Sequence, residues 1–319
     1  MTADMAALVA EYIEMRRGLG YRSHTRERAL RAFARYLDQE THVGPIPLEL
    51  TLTWAASSAS ADPCNPARRL AGVRDFLRYL SALDHATEVP APGLLGSTGH
   101  RKPPHVYSER EVGDLLQAAG GLAPAGGLRP RCYATLFGLI ACTGLRICEA
   151  LAFTCADVDL SEAMLTVRDG KRGRSRLVPL HPTALPPLRD YAAERERRYG
   201  RPDADAAFFR TDRSDHISYN AANSTFLALR TELGWTGAGR TRAPRVHDLR
   251  HRMVVRRIQS WHADGVDVDV DAKIAVLATY LGHAEVRSVY WYLSAVPELM
   301  SIVADRFETF TAPPPAGVS

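Results

Sequence analysis

Lysine is scarce in this chain. Only Lys102, Lys171 and Lys273 stand against 37 arginines. Arginine is so common that one more says little, whereas a lysine at a chosen place says more. Cysteine is scarce too: Cys64, Cys132, Cys142, Cys148 and Cys155 form no CxxC pair, and an odd number cannot make a closed disulfide framework. They read as buried small hydrophobes in a reducing compartment. No apolar run approaches the ~20 residues needed to span a bilayer. The start, Met1-Thr2-Ala3-Asp4-Met5, has neither the basic opening nor the apolar centre of a signal peptide, so the expected location is cytoplasmic. His247 and His251 are four apart, but no HExxH glutamate or cysteine pair joins them, so a zinc site is not expected. Internal repeats are absent, and a net charge of only +4 does not by itself mark a nucleic-acid binder.

What is present is mostly helical periodicity. Residues 5–17 are amphipathic through Leu8, Val9, Tyr12, Ile13 and Met15, and Gly18 and Gly20 end that helix. A second helix runs from Ser23 or Thr25 to about Asp38, a third fits Leu48–Ala56, and a fourth runs from about Pro66 to Leu83. Together they predict a four-helix N-terminal domain over residues 1–89. Arg16, Arg17, Arg22, Arg26, Arg28, Arg31 and Arg35 cluster in it, either as a solvated face or as a phosphate-contacting one. Prolines and glycines then predict a linker over 90–107. Ser108 followed by Glu111 has the capping-box pattern, and structure resumes there. From 108 to 310 the pattern is mainly α with one small β-hairpin. Residues 163–168 and 175–180 are its strand-forming runs, around the basic turn Asp169-Gly170-Lys171-Arg172-Gly173-Arg174. The Pro-rich end, 311–319, is expected to be disordered.

Four stretches carry residues suited to chemistry on a phosphate. In Thr143-Gly144-Leu145-Arg146 a turn opens a new helix, whose N-terminal end favours anions. An arginine there opposes the helix dipole, which points to an anionic partner or to a salt bridge with Glu149. His247 and Arg250 are spaced to share one helix face and offer a titratable imidazole beside a fork of donors. Lys171 lies at a hairpin tip surrounded by arginines. Unlike them it can release a proton, which favours a general-acid role. Near the C-terminus, His283 follows a Leu-Gly turn and Tyr292 comes nine residues later, with Tyr280 and Tyr290 as competing tyrosines.

Taken in order, Thr-Gly-Leu-Arg146, Gly-Lys171, Arg-Leu-Val-Pro-Leu180, His247-Asp-Leu-Arg250-His251, Leu-Gly-His283 and Tyr292 resemble the tyrosine recombinase, or phage integrase, family over residues 108–310. The four-helix segment is similar, by pattern, to that family's core-binding domain. The resemblance implies an integrase-type catalytic domain with Arg146, Lys171, His247, Arg250, His283 and Tyr292 as its six active-site residues. It implies attack by Tyr292 on a DNA phosphodiester, a 3′-phosphotyrosyl intermediate, and no need for ATP or a metal. It implies double-stranded DNA at specific sites as partner and a homo-tetramer on synapsed DNA, as in integration or transposition of a mobile element. Glu149 reads as orienting an active-site group rather than reacting. Arg252 and Met253 depart from the family's commonest pattern, in which a small hydroxyl residue and an aromatic often follow Arg250-His251. Two alternatives share parts of this reading: a type IB topoisomerase, and an inactive DNA-binding accessory protein.

Overall fold

The computed structural model describes residues 4–21, 23–99, 103–170, 174–237, 243–263 and 270–282. Lys171, His283, Tyr290, Tyr292 and the C-terminal segment therefore lie outside the described residues. The chain divides into two compact units, Met1–Arg101 and Lys102–Ser319.

The first unit holds four helices: α1 (Met5–Gly18), α2 (His24–Gln39), α3 (Leu48–Ala56) and α4 (Asn65–Leu83). Asp4 starts α1 by accepting the Ala6 N–H at 3.0 Å. Residues at helical spacing then fill one core: Val9, Tyr12 and Ile13 from α1, Leu30, Phe33 and Leu37 from α2, and Leu70, Val73, Phe76 and Leu77 from α4. Trp54 of α3 packs on Phe33 with ring centroids 4.8 Å apart. Acidic partners occupy part of the basic cluster. Arg17 pairs with the buried Glu27 at 2.6 Å, and Arg26 with Asp75 at 2.6 Å. Arg28, Arg31 and Arg35 stay exposed along one face of α2.

In the second unit the capping box at Ser108 is formed. The Ser108 hydroxyl accepts the Glu111 N–H at 3.1 Å, and the Glu111 carboxylate accepts the Ser108 N–H at 2.7 Å. Helix α5 (Glu109–Gly120) follows and packs on α6 (Leu128–Thr143). The latter is buried on most of its surface, including Leu128, Cys132, Leu136, Phe137 and Ile140. Its first turn is capped from a distance: the Asp212 carboxylate accepts the N–H groups of Leu128 at 2.8 Å and Arg129 at 3.1 Å. After the short α7 (Ile147–Leu151) comes an antiparallel sheet of β1 (Val158–Asp159), β2 (Met164–Gly170) and β3 (Arg174–Pro179). The expected hairpin is β2–β3; the edge strand β1 adds to it. Val167 pairs with Arg176 and Leu165 with Val178. Helices α8 (Leu185–Tyr199), α9 (Tyr219–Glu232), α10 (Val246–Ala263) and α11 (Val270–Tyr280) complete the unit.

The stretch read as a linker is not free of packing. Leu95 lies against the first core, and Tyr107 is buried in the second, where its hydroxyl donates to the Arg245 carbonyl at 3.1 Å. Glycine and proline there prevent regular helix or strand, but they do not prevent a side chain from reaching a core. Among the described residues no helix is long and apolar enough to cross a membrane.

Candidate active site

The site is built on two turns. Helix α6 ends where Thr143 turns its hydroxyl back to the Leu139 carbonyl at 2.5 Å. Gly144 then takes a left-handed conformation, φ +67°, and its N–H returns to the Ile140 carbonyl. The chain emerges at Leu145, which is buried, and at Arg146, which is half-buried beside the start of α7. The second turn follows α11, where Leu281 is buried and Gly282 has φ +66°.

Arg250 ties the two turns together. One face of α10 buries Leu249, Arg250 and Val254, so the guanidinium lies inside the unit with 1% exposure. Its Nη1 donates to the Gly144 carbonyl at 2.7 Å and its Nη2 to the Leu281 carbonyl at 2.8 Å. Arg146 closes the same gap from outside, with Nη2 donating to the Gly282 carbonyl at 3.3 Å. Two of the predicted arginines thus converge on the turn that leads directly to His283.

Glu149 is the counter-charge of this cluster. One oxygen accepts from Arg146 Nη1 at 2.6 Å and the other from the Arg146 N–H at 2.9 Å. Arg176 grips the same carboxylate in a fork, Nη1 at 3.1 Å and Nη2 at 2.9 Å. Burial pushes this carboxyl up. The Arg176 fork, the Arg146 N–H and the two positive charges outweigh burial and hold it at about 2. Among the described residues the anionic partner of Arg146 is Glu149, which stays ionised.

His247 stands one turn before Arg250 on α10, edge-on to the His251 ring at 4.8 Å. Burial depresses its pKa first, and the charges of Arg250, Arg245 and Arg146 add to that against the opposing Asp248, bringing it down to about 4. The imidazole is neutral at physiological pH, the state able to accept a proton. Asp248 is the third residue of α10, and its carboxylate accepts the Arg245 N–H at 3.0 Å. Tyr280 is disfavoured as a nucleophile: burial pushes its hydroxyl up to about 12, against the nearby arginine charges.

Arg176 opens the motif Arg-Leu-Val-Pro-Leu180, but no site role was expected of it. Its signal was its parity in β3: it lies two residues before the buried Val178, while Leu177 between them is exposed. The two departures from the family pattern are also accounted for. Met253 is buried and closes over Gly144, where an added Cβ would lie 2.4 Å from its Cε. Arg252 and Arg256 both pair with Glu109 of α5, at 2.5 and 2.6 Å.

A model of the phage integrase family matches residues 106–298. The chain belongs to the phage integrase family. Among the relatives of this integrase-family chain is y4rB of Sinorhizobium fredii, whose name is that of an integrase/recombinase. It is 38% identical over 303 residues, which are 94% of this chain and 96% of that one. The tyrosine recombinase XerD of Caulobacter vibrioides is 27% identical over 236 residues, 74% of this chain and 72% of its own. Two solved structures share the fold. The Tn1549 transposon integrase, in complex with transposon right end DNA, has a TM-score of 0.65 at 15% identity and covers 98% of this chain and 100% of its own. A lambda integrase dimer bound to a core site has a TM-score of 0.63 at 14% identity, covering 91% and 77%.

Proposed function

We propose that this integrase-family chain is a tyrosine-type, site-specific DNA recombinase. The observation that carries the reading is the convergence of Arg146 and Arg250 on the turns at Gly144 and Gly282, with His247 one turn before Arg250 on α10. A phosphodiester resists attack because its own charge repels nucleophiles and its alkoxide leaves poorly. Arg146 and Arg250 stabilise the charge that grows on the non-bridging oxygens. His283, next after Gly282 in the sequence, adds a hydrogen bond to the same phosphate.

Tyr292 is the nucleophile. A tyrosine hydroxyl of ordinary pKa, about 10, is mostly neutral at pH 7, so attack needs proton removal, and His247 is the base. The Tyr292 oxygen bonds to phosphorus, the bond to the 5′ oxygen breaks, and Lys171 protonates that leaving oxygen. The resulting 3′-phosphotyrosyl bond retains the energy of the original, so a 5′ hydroxyl from a partner strand reverses the step and joins new strands without a cofactor. The helical N-terminal region binds the DNA with the exposed Arg28, Arg31 and Arg35, and residues 108–310 perform catalysis. A lambda integrase has been solved as a tetramer on a Holliday junction, and a homo-tetramer on paired sites is proposed for this chain. A cytoplasmic protein that joins the nucleoid when bound to DNA fits this role.

The test is covalent capture. The full chain is incubated with fragmented DNA of its host, protein-linked ends are sequenced, and the recovered site is rebuilt as a nicked duplex that traps the adduct. The expected result is a denaturant-resistant protein–DNA adduct that Tyr292→Phe abolishes. No adduct from any fragment sinks the reading. An adduct that survives in Tyr292→Phe moves the nucleophile elsewhere. Relaxation of any plasmid, without a particular site or joined product, assigns the chain to topoisomerase-like chemistry.

A further inference from the structure

We propose that Arg176 is a positioning residue for strand cleavage, acting through Glu149 and through the turn before His283. The inference rests on the recombinase reading above and adds a residue to its site. Arg176 occupies a core-facing register position on β3, opposite the buried Val167, where an apolar residue would be ordinary. Its guanidinium is engaged on three sides. Two nitrogens fork onto Glu149 at 3.1 and 2.9 Å, and Nε donates to the Tyr280 carbonyl at 2.8 Å. On the third side it lies close against Gly282, where an added Cβ would come within 2.7 Å of Nη1 and 3.0 Å of Cζ. Because Gly282 also accepts from Arg146, the contacts form a closed ring: Arg176 to Glu149, Glu149 to Arg146, Arg146 to Gly282, and Gly282 back against Arg176.

The ring has two physical effects. Glu149 alone would cancel the charge of Arg146; with Arg176 sharing the carboxylate, the three groups sum to one positive charge. The fork also fixes the carboxylate plane, so Glu149 holds Arg146 in one orientation instead of swinging between its partners. The side chain of Arg176 is only 12% exposed and both ends of its fork are occupied within the chain. It is therefore placed to act on the groups around it rather than on DNA.

The test is a double-mutant cycle on the full chain, using the nicked duplex rebuilt from wild-type adducts. Single-turnover cleavage and DNA dissociation constants are measured for wild type, Arg176→Met, Glu149→Gln and the double variant. Arg176→Met is expected to slow cleavage by about 10²-fold, the scale of a misplacement of about 1 Å in an active site, while DNA affinity stays within a few-fold of wild type. The double variant is expected to be no slower than the slower single, because both changes break one ring. Arg176→Lys, which keeps the charge but loses the fork, is expected to recover only part of the rate. It also carries the cycle if the methionine variant does not fold. Unchanged cleavage, strictly additive losses, or a loss of affinity as large as the loss of rate overturns the inference. If wild type itself leaves no adduct, the recombinase reading is what fails.

Discussion

Replacing Gly144 with alanine should damage the unit in two separable ways. The residue has φ +67°, where a Cβ approaches the following carbonyl, at a cost of about 1–2 kcal/mol. The added methyl would also sit 2.4 Å from Met253 Cε and 3.3 Å from Leu281 Cδ2. Overpacking of this kind costs about 1–3 kcal/mol, and a flexible thioether keeps it toward the low end. Gly144→Ala should therefore lose about 2–4 kcal/mol in all. Met253→Ala loses stability on its own account, but it removes the clashing atoms. In that background Gly144→Ala should lose only the backbone share, about 1–2 kcal/mol. Urea unfolding of the four proteins, followed by the transition of the second unit, gives the cycle. The reasoning is refuted if the alanine costs the same with and without Met253, or if it costs less than about 0.5 kcal/mol in either background.

Other outcomes follow from the same geometry. The Glu149 carboxyl is held at about 2 against an ordinary 4.5, so its stabilisation is complete above pH 4.5 and fades as pH falls toward 2. The stability gap between wild type and Glu149→Gln should be about 3 kcal/mol near neutrality and narrow by about 1 kcal/mol at pH 3.5 in urea titrations. His247 adds a separate slope: its pKa falls from 6.5 to about 4 on folding, so stability is lost as pH drops through that interval, and His247→Gln should flatten it. Asp212→Ala removes the cap on two N–H groups of α6 and should lower the stability of the second unit by about 1–2 kcal/mol in the same assay. Tyr280→Phe should leave adduct formation within a few-fold of wild type, since that hydroxyl is pushed up to about 12 and its backbone carbonyl, not its ring, serves the site.

The four helices of the first unit were legible because their apolar residues recur at helical spacing, whereas the second unit was legible only as mainly helical. The Ser108 capping box and the β2–β3 hairpin were legible because each is written within a few neighbouring residues. What the sequence hid was non-local. Asp212 caps a helix that begins 84 residues earlier, and no local pattern announces that. Arg176 was hidden by an ambiguity of parity: Leu177 and Val178 are both apolar, and only packing decides that Val178 faces inward and takes Arg176 with it. Tyr107 was hidden because a Pro- and Gly-rich setting reads as a spacer. For the site, residue types and order pointed to Arg146, His247 and Arg250. That Arg250 would be enclosed and bonded to two turn carbonyls depends on the approach of α6, α10 and α11, which a linear motif does not encode.

The two carbonyl contacts of Arg250 bear on how inactive protein should be made for trapping assemblies on DNA. An inactivating change is useful only if the rest of the molecule keeps its shape, and a side chain that staples the end of α6 to the end of α11 is a poor place to make one. Replacing it would release both turns and so reshape the proposed phosphate site, and the captured complex would then report on a different surface.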